Sequence, residues 1–427
     1  MWPFSGRHQT GWFGRLARDR RGVAALTFGI SAFVVIGIAG LGTEVGAWYA
    51  AQQKGQNAAD AAALAGVYAL AVGGGSAGAQ ASALNVAAQD GFSSGVVVNT
   101  PPATGANATN SSAVEVIITQ QTVPLLSGLF LARDFAITTR AVAAIQSGGS
   151  ACAVALNDGA GLSMGGHSTT TANNCSLASN TAGPNSIIVS GSATVSAYTL
   201  SAVGACSGCS GSNVSLTRPA SAYQLPAANP FAAADGVTLP SSANCSNGAP
   251  MPYSASNPTV YCSLIVGSQQ TLSLTPGTYF ISGDISFEGG STVQCPTCTG
   301  GAGVTIVMTD SASTLKIDGN ATVTLAAPTT SDYNAAFNGL LFYQASGGTP
   351  GGVTINGGSN STLVGGMYFP SESVSFDGNE SINPSACTEI VGETLTIAGD
   401  ASTTLASSGC AQSGTATAQL QVARLLE

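Results

Sequence analysis

A chain of 427 residues has room for two or more domains beyond a terminal segment. Only 7% of its residues are charged, the net charge is −9, and Arg218, Lys316 and Arg424 are the only basic residues after Arg140. It cannot neutralise a run of phosphates, which excludes nucleic-acid binding. Glycine is abundant at 55 residues, but 44% apolar residues suffice for a core, so the composition reads as folded, glycine-punctuated β structure rather than disorder.

Residues 1–22 read as a cytoplasmic basic leader, with Trp2, Phe4, Trp12 and Phe13 interleaved among arginines as an interfacial anchor. Residues 23–43 form an uncharged apolar run of 21 residues, against the ~20 that a bilayer-spanning helix needs. A cleaved signal is the alternative, but its apolar region is ordinarily ~7–15 residues. Arg15, Arg18, Arg20 and Arg21 on one flank, against Lys54 on the other, place the N-terminus in the cytoplasm and the bulk of the chain across the membrane.

Helix formers then continue from Glu44 to about Val72. Val45, Trp48, Gln52, Gly55, Ala59, Ala62 and Gly66 recur near a 3.5 spacing. That stripe serves the chain's own core or the approach of a partner helix. Gly73-Gly74-Gly75 ends the helix, and Ala79–Gln89 reads as a second one, stopped at Asp90-Gly91. Residues 96–98 and 113–119 read as strands, and Val123–Ile145 as a short amphipathic helix followed by a strand. Residues 147–150 (Ser-Gly-Gly-Ser) read as a linker.

The order of these parts carries a resemblance. Arg20-Arg21-Gly22, an apolar span, Glu44, the pair Trp48-Tyr49, and the run Gln56, Asn57, Ala58, Ala59, Asp60, Ala61, Ala62, Ala63, Leu64 stand in sequence. This composite resembles the N-terminal region of TadG-like proteins of the Flp/Tad pilus-assembly system, closely over residues 20–72 and loosely to about 145. Gly55 departs from the family pattern, which carries a larger residue there. The resemblance implies a single-pass protein of the bacterial inner membrane, whose partners are other pilus-assembly proteins or pilus subunits. By analogy, residues 44–146 form a small pilin-like α+β region.

From residue 151 to 410 a pattern recurs of alternating apolar residues, a glycine, then a Ser/Thr-rich strand. Its glycines fall at 165, 191, 289, 319, 357, 378 and 399. A period of about 20 residues, lengthened in places, suits a right-handed parallel β-helix with glycine at the corners. A β-sandwich is the alternative. Residues 207–259 break the pattern as an insertion, and residues 411–427 read as a tail.

All ten cysteines follow the apolar run: Cys152, Cys175, Cys206, Cys209, Cys245, Cys262, Cys295, Cys298, Cys387 and Cys410. An even count on the exported side predicts disulfides in an oxidising compartment. Cys152 and Cys175, and Cys387 and Cys410, are each 23 apart, a spacing that could staple neighbouring coils near each end of the domain. The CxxC pairs Cys206/Cys209 and Cys295/Cys298 stand too far apart in sequence for one zinc site, so local disulfides are expected.

No catalytic, metal or cofactor site is expected. His8 and His167 have no readable partners, and His167 sits in a Gly/Ser/Thr turn. The late acids, among them Asp284, Glu288, Asp310, Asp318, Asp332, Glu372, Asp377, Glu380, Glu389, Glu393 and Asp400, suit turn geometry. Calcium binding or a glycan-cleaving carboxylate pair are lesser alternatives, with Lys316 the one base nearby. The reading is a non-enzymatic, membrane-anchored assembly component. An adhesin or glycan-binding module that contacts envelope polysaccharide is the runner-up, and a polysaccharide-active enzyme a remote third.

Overall fold

The computed structural model describes residues 20–122, 135–156, 161–172, 174–347, 350–356, 360–377, 381–382 and 387–426. The chain divides into two compact units. One comprises Met1–Leu70, Gly74–Ala144 and Leu425–Glu427; the other comprises Ala71–Gly73 and Ile145–Arg424.

In the first unit, helix α1 (Arg20–Ala71) runs for 52 residues without a break where the apolar run ends. Helix α2 (Gly75–Gln89) starts four residues earlier than the sequence suggests and ends as Asp90 N–H closes on Val86 O. Strands β1 (Val96–Asn99), β2 (Ala113–Thr122) and β3 (Phe135–Ala155) form an antiparallel sheet in that order, with Val96 opposite Ile118 and Ala113 opposite Ala144. The helices lie on this sheet through very small side chains. Ala58, Ala59, Ala62 and Ala63 of α1 and Ala79, Ala83 and Ala87 of α2 are buried. A Cβ on Gly66 would stand 2.9 Å from Val114 Cγ1 and 3.2 Å from Ala79 O, so the contact depends on glycine there.

Two boundaries differ from the expectation. Residues 147–150 are no linker but lie inside β3, because their backbone stays extended. The C-terminal segment is no free tail. It carries strand β27 (Gln419–Leu425), and Leu426 N–H reaches Val142 O. The short helix read over residues 123–134 lies outside the described residues, as does most of the basic leader.

The second unit is a large all-β domain of mostly parallel pairing, and its sheet does not close into a barrel. After β3 come β4 (Leu162–Met164), β5 (Thr169–Ala172), β6 (Ser176–Ser179), β7 (Ile187–Val189), β8 (Thr194–Ala197), β9 (Leu200–Ala202), β10 (Cys206–Ser207) and β11 (Val214–Leu216). Then follow β12 (Val260–Tyr261), β13 (Leu264–Val266), β14 (Thr271–Ser273), β15 (Gly277–Ile281), β16 (Ile285–Phe287), β17 (Thr292–Gln294), β18 (Val304–Met308), β19 (Leu315–Ile317) and β20 (Thr322–Ala326). The series ends with β21 (Leu340–Gln344), β22 (Val353–Asn356), β23 (Asn360–Asp377), β24 (Ser381–Ile382), β25 (Thr388–Ile397) and β26 (Ser402–Thr404) before β27.

Up to the long strands β23 and β25, and again from β3 to β11, a strand pairs in parallel with the third strand along, and the parallel pairs form three ladders. The first runs β12–β15–β18–β21–β23–β25–β3–β6–β9. The second runs β13–β16–β19–β22–β23–β25–β4–β7–β10. The third runs β14–β17–β20–β23–β24–β26–β5–β8–β11. The long strands β23 and β25 bend and serve more than one ladder.

Spatial order departs from chain order. The last rung (β25, β26) pairs with the first (β3, β4, β5), so the chain enters the stack in its middle and runs out to the β9–β11 end. It then crosses to the β12–β14 end and returns. Residues 217–259 make that crossing. They are therefore not a loop inserted in a continuous series, and the break starts after β11 rather than at 207, because Val214–Leu216 still pairs with β8.

Two cores result. One lies between the ladders and contains Leu162, Ile187, Phe287, Ile317, Leu363 and Phe376, all buried. Each such side chain contributes about 1.5–3 kcal/mol relative to exposure. The other lies outside the first ladder, where the crossing segment lays Phe231 and Ala234 over Phe280, Val307, Tyr343, Tyr368 and Val391.

At the corner after the second ladder one residue adopts a left-handed conformation: Gly290, Asn320, Gly399, Gly166 and Gly191 have φ between 64° and 78°. The repeat glycines 165, 289 and 319 sit one place before it. Asparagine tolerates this conformation, which is why Asn320 stands in for glycine. Gly357 and Gly378 lie outside the described residues.

Candidate anchor helix and exported-domain residues

Within α1, the stretch Ala24–Ala71 is, among the described residues, the helix long and apolar enough to cross a membrane. From Leu26 to Leu41 its large apolar side chains are exposed all round, from Val34 at 55% to Phe33 at 84%, as a lipid-facing span would be. Glu44, at the end of the apolar run, is buried.

The residues of the resemblance divide by role. Trp48 is half-buried and Tyr49 exposed. Gln56 donates through Nε2 to Asp60 Oδ1 at 2.8 Å and to Arg140 O at 3.0 Å, tying the helix to β3. Asn57 is exposed, Ala58 and Ala59 are buried, and Asp60, Ala61 and Leu64 are half-buried. The run of small residues is thus a packing surface. In the small-residue stripe, Gly55, Ala59, Ala62 and Gly66 face the unit's own sheet and α2, whereas Val45 and Gln52 are exposed.

One group in this unit escaped the sequence reading. Glu115 is fully buried, and Arg140 Nε donates to its Oε1 at 2.7 Å. Its Oε2 accepts from Asn99 Nδ2 at 2.7 Å and from Ala103 N–H at 3.0 Å. Burial raises the carboxyl pKa, but the bonds from Ala103, Asn99 and Arg140 more than offset it, so the group is held below the usual carboxylate range. The signal was a lone acid in the apolar run AVEVII, with Arg140 on the partner strand.

The ten cysteines form five disulfides, each between sequence neighbours: Cys152–Cys175, Cys206–Cys209, Cys245–Cys262, Cys295–Cys298 and Cys387–Cys410. Their Cα separations in the two 23-residue loops are 5.7 and 4.7 Å. These two bonds do not mark opposite ends of the domain, as the spacing suggested. Cys175 Sγ lies 3.9 Å from Leu405 O, so both lie at the mid-stack seam where the first and last rungs meet.

The acids are spread along turns and rungs. Thr314 donates both N–H and hydroxyl to Asp284 Oδ1, Ser268 does the same to Glu288 Oε2, and Asp310 accepts from Ala312 N–H. Asp332 accepts from Thr278, and Lys316 pairs with Asp318 at 3.0 Å. Exposed His167 is 3.9 Å from Asp400. Among the described residues no three of His, Cys, Asp and Glu gather as a metal-holding group.

Two acids are buried. Glu372 accepts from Gly352 N–H and from Gln344. Glu389 accepts from Ala418 N–H at 3.0 Å through Oε1, while its Oε2 has no partner. Burial pushes both pKa values up, Glu389 the further. Beneath the crossing segment, exposed Asp235 accepts from Tyr368 at 2.6 Å and from Tyr343 at 3.3 Å, which latches that segment to the first ladder.

With this geometry in place, comparison with known proteins bears on the N-terminal part. Residues 22–90 match the family model of the putative Flp pilus-assembly TadE/G-like proteins. That region is therefore of the Tad type, and the match suggests a pilus-assembly component of the cell envelope. It covers α1 from Gly22 through α2 and leaves the ladder domain uncovered. No curated protein and no solved structure matches the chain.

Proposed function

We propose that this chain is a non-enzymatic structural component of a Flp/Tad-type pilus system, held in the cytoplasmic membrane by α1. The Tad match over residues 22–90 carries the reading. In it, the N-terminus is cytoplasmic and the second unit is a parallel β-helix in the periplasm or beyond. The arginine cluster before Gly22 supports that orientation, and so do the disulfides, which persist in oxidising compartments. A parallel stack cross-linked by disulfides is a stiff body suited to scaffolding. Its partners are other assembly proteins or pilus subunits.

A surface adhesin or glycan-binding module is the second reading, favoured by the Ser/Thr-rich outer strands. Against it, the neighbouring, mutually tilted rings of Tyr343 and Tyr368 that could hold a sugar lie beneath residues 217–259.

The test uses the closeness of Ala151 N–H to Ala418 O, 2.8 Å, which lets a short Gly/Ser turn replace residues 152–417 while keeping β27 and β3 up to Ala151. Pili are counted by electron microscopy in cells with the full chain, the shortened chain or none. Loss of pili in the latter two is expected. Normal piliation without the gene overturns the reading. Restored pili with lost surface attachment in the shortened chain hands the exported domain to the adhesin.

A further inference from the structure

The third ladder presents a hydroxyl-rich outer face. Its strands alternate, with Thr170, Val195, Val293 and Val323 buried and their flanking residues turned outward. The outward positions make two rows. In one, register joins Thr271 to Thr292 to Thr322, and across the seam Ser402 to Thr169 to Thr194. The other, two residues further along each strand, holds Ser273, Gln294, Thr324 and Thr362, then Thr404 and Thr171. All of these are exposed or half-buried, and all but Gln294, whose amide Nε2 donates to Ser273 Oγ, end in a hydroxyl.

None carries a charge, in a chain whose net charge is −9, and none is aromatic. Glu288, Asp318 and Asp400 lie in the corners that precede the strands, outside the rows. An ionic ligand finds no counter-charge on this face. A neutral sugar finds no ring to stack on.

What the face does offer is periodicity. Strands in a sheet repeat at about 4.7–4.9 Å. In tetrahedral water, with O···O near 2.75 Å, two oxygens bonded to a common third stand about 4.5 Å apart. A row of hydroxyls at the rung spacing therefore matches alternate oxygens of crystalline water to within about 0.3 Å. Threonine is stiff at χ1, so its hydroxyl and methyl recur in fixed places. Thr194 Oγ1 donates to Thr169 Oγ1 at 3.1 Å, which locks adjacent rungs together. An array ordered in advance loses little entropy on binding.

We propose that this face binds the surface of ice. The array exists only because the first and last rungs join, so that residues from both halves of the domain continue the same rows. Its test is independent of pilus assembly. The full chain in lipid nanodiscs is mixed with growing polycrystalline ice, and its partition between ice and liquid is compared with that of empty nanodiscs. Enrichment in ice is expected, with loss of that enrichment in Thr169→Tyr and retention in Ser286→Tyr, which alters the second ladder's outer face. Unchanged melting temperatures of both variants confirm folding. Exclusion of the wild type from ice, or identical behaviour of the two variants, overturns the proposal. Binding to insoluble chitin or cellulose that Thr169→Tyr abolishes, together with exclusion from ice, would assign the face to a neutral glycan instead.

Discussion

Glu389 and Glu115 are both fully buried, yet their surroundings push them in opposite directions. Glu115 is met by a guanidinium, an amide and a backbone N–H and stays ionised. Its contribution to stability is complete above the usual carboxylate range and is lost as pH falls through its lowered value. Glu389 has one backbone donor, and its other oxygen is unpartnered. Its folded pKa lies above the unfolded value, so the folded state holds a proton that the unfolded state releases. Stability is therefore lost as pH rises from the usual carboxylate range toward the raised value, by up to about 1.4 kcal/mol per pH unit in that window. Glu389→Gln removes the titration. We expect its melting temperature to exceed that of the wild type at pH 8 and the advantage to shrink toward pH 4. A difference independent of pH would mean that Glu389 does not titrate there.

At the scale of elements, α1 works as two helices in one. Its first part is apolar on every side, and its later part packs a stripe of glycine and alanine on β2, β3 and α2. Gly66 is the tightest point of that contact. Gly66→Leu should cost about 1–3 kcal/mol through overpacking, and should show as faster proteolysis of the α1–α2 region while the ladder domain stays resistant. The small-residue spacing was legible in the sequence. Whether it met a partner or the chain's own sheet was not, because a packing stripe looks the same whatever covers it. The Glu115–Arg140 pair was hidden for a related reason: its two residues are 25 apart, and only the β2–β3 register brings them together.

For the whole molecule, the decisive feature is the seam. β25 and β26 pair with β3, β4 and β5, and neither partner is near the other in sequence. Cys387–Cys410 holds the chain where it leaves the last rung, and Cys152–Cys175 joins the two rungs that begin the series. Replacing Cys387 and Cys410 by alanine should remove about 3 kcal/mol, as expected for a loop of this length. Non-reducing melts of the double variant, which keeps the other four disulfides, should then fall below those of the oxidised wild type. A melt equal to that of the oxidised protein would show that the seam holds without the bond.

The sequence by itself determined the elements governed by local chemistry: an apolar helix of spanning length, a Tad-type N-terminal region, glycine-cornered short strands, and cysteines placed to pair with their neighbours. Periodicity and composition carry that information because each depends on residues close together in the chain. Tertiary structure alone decided the order of the rungs, the role of residues 217–259 as a crossing segment, and the meeting of two distant parts of the domain in one continuous set of ladders. Parallel pairing sets the spacing between rungs but does not say which rung follows which. That is decided by which open strand edges and apolar faces are left to be covered once the local pieces have formed.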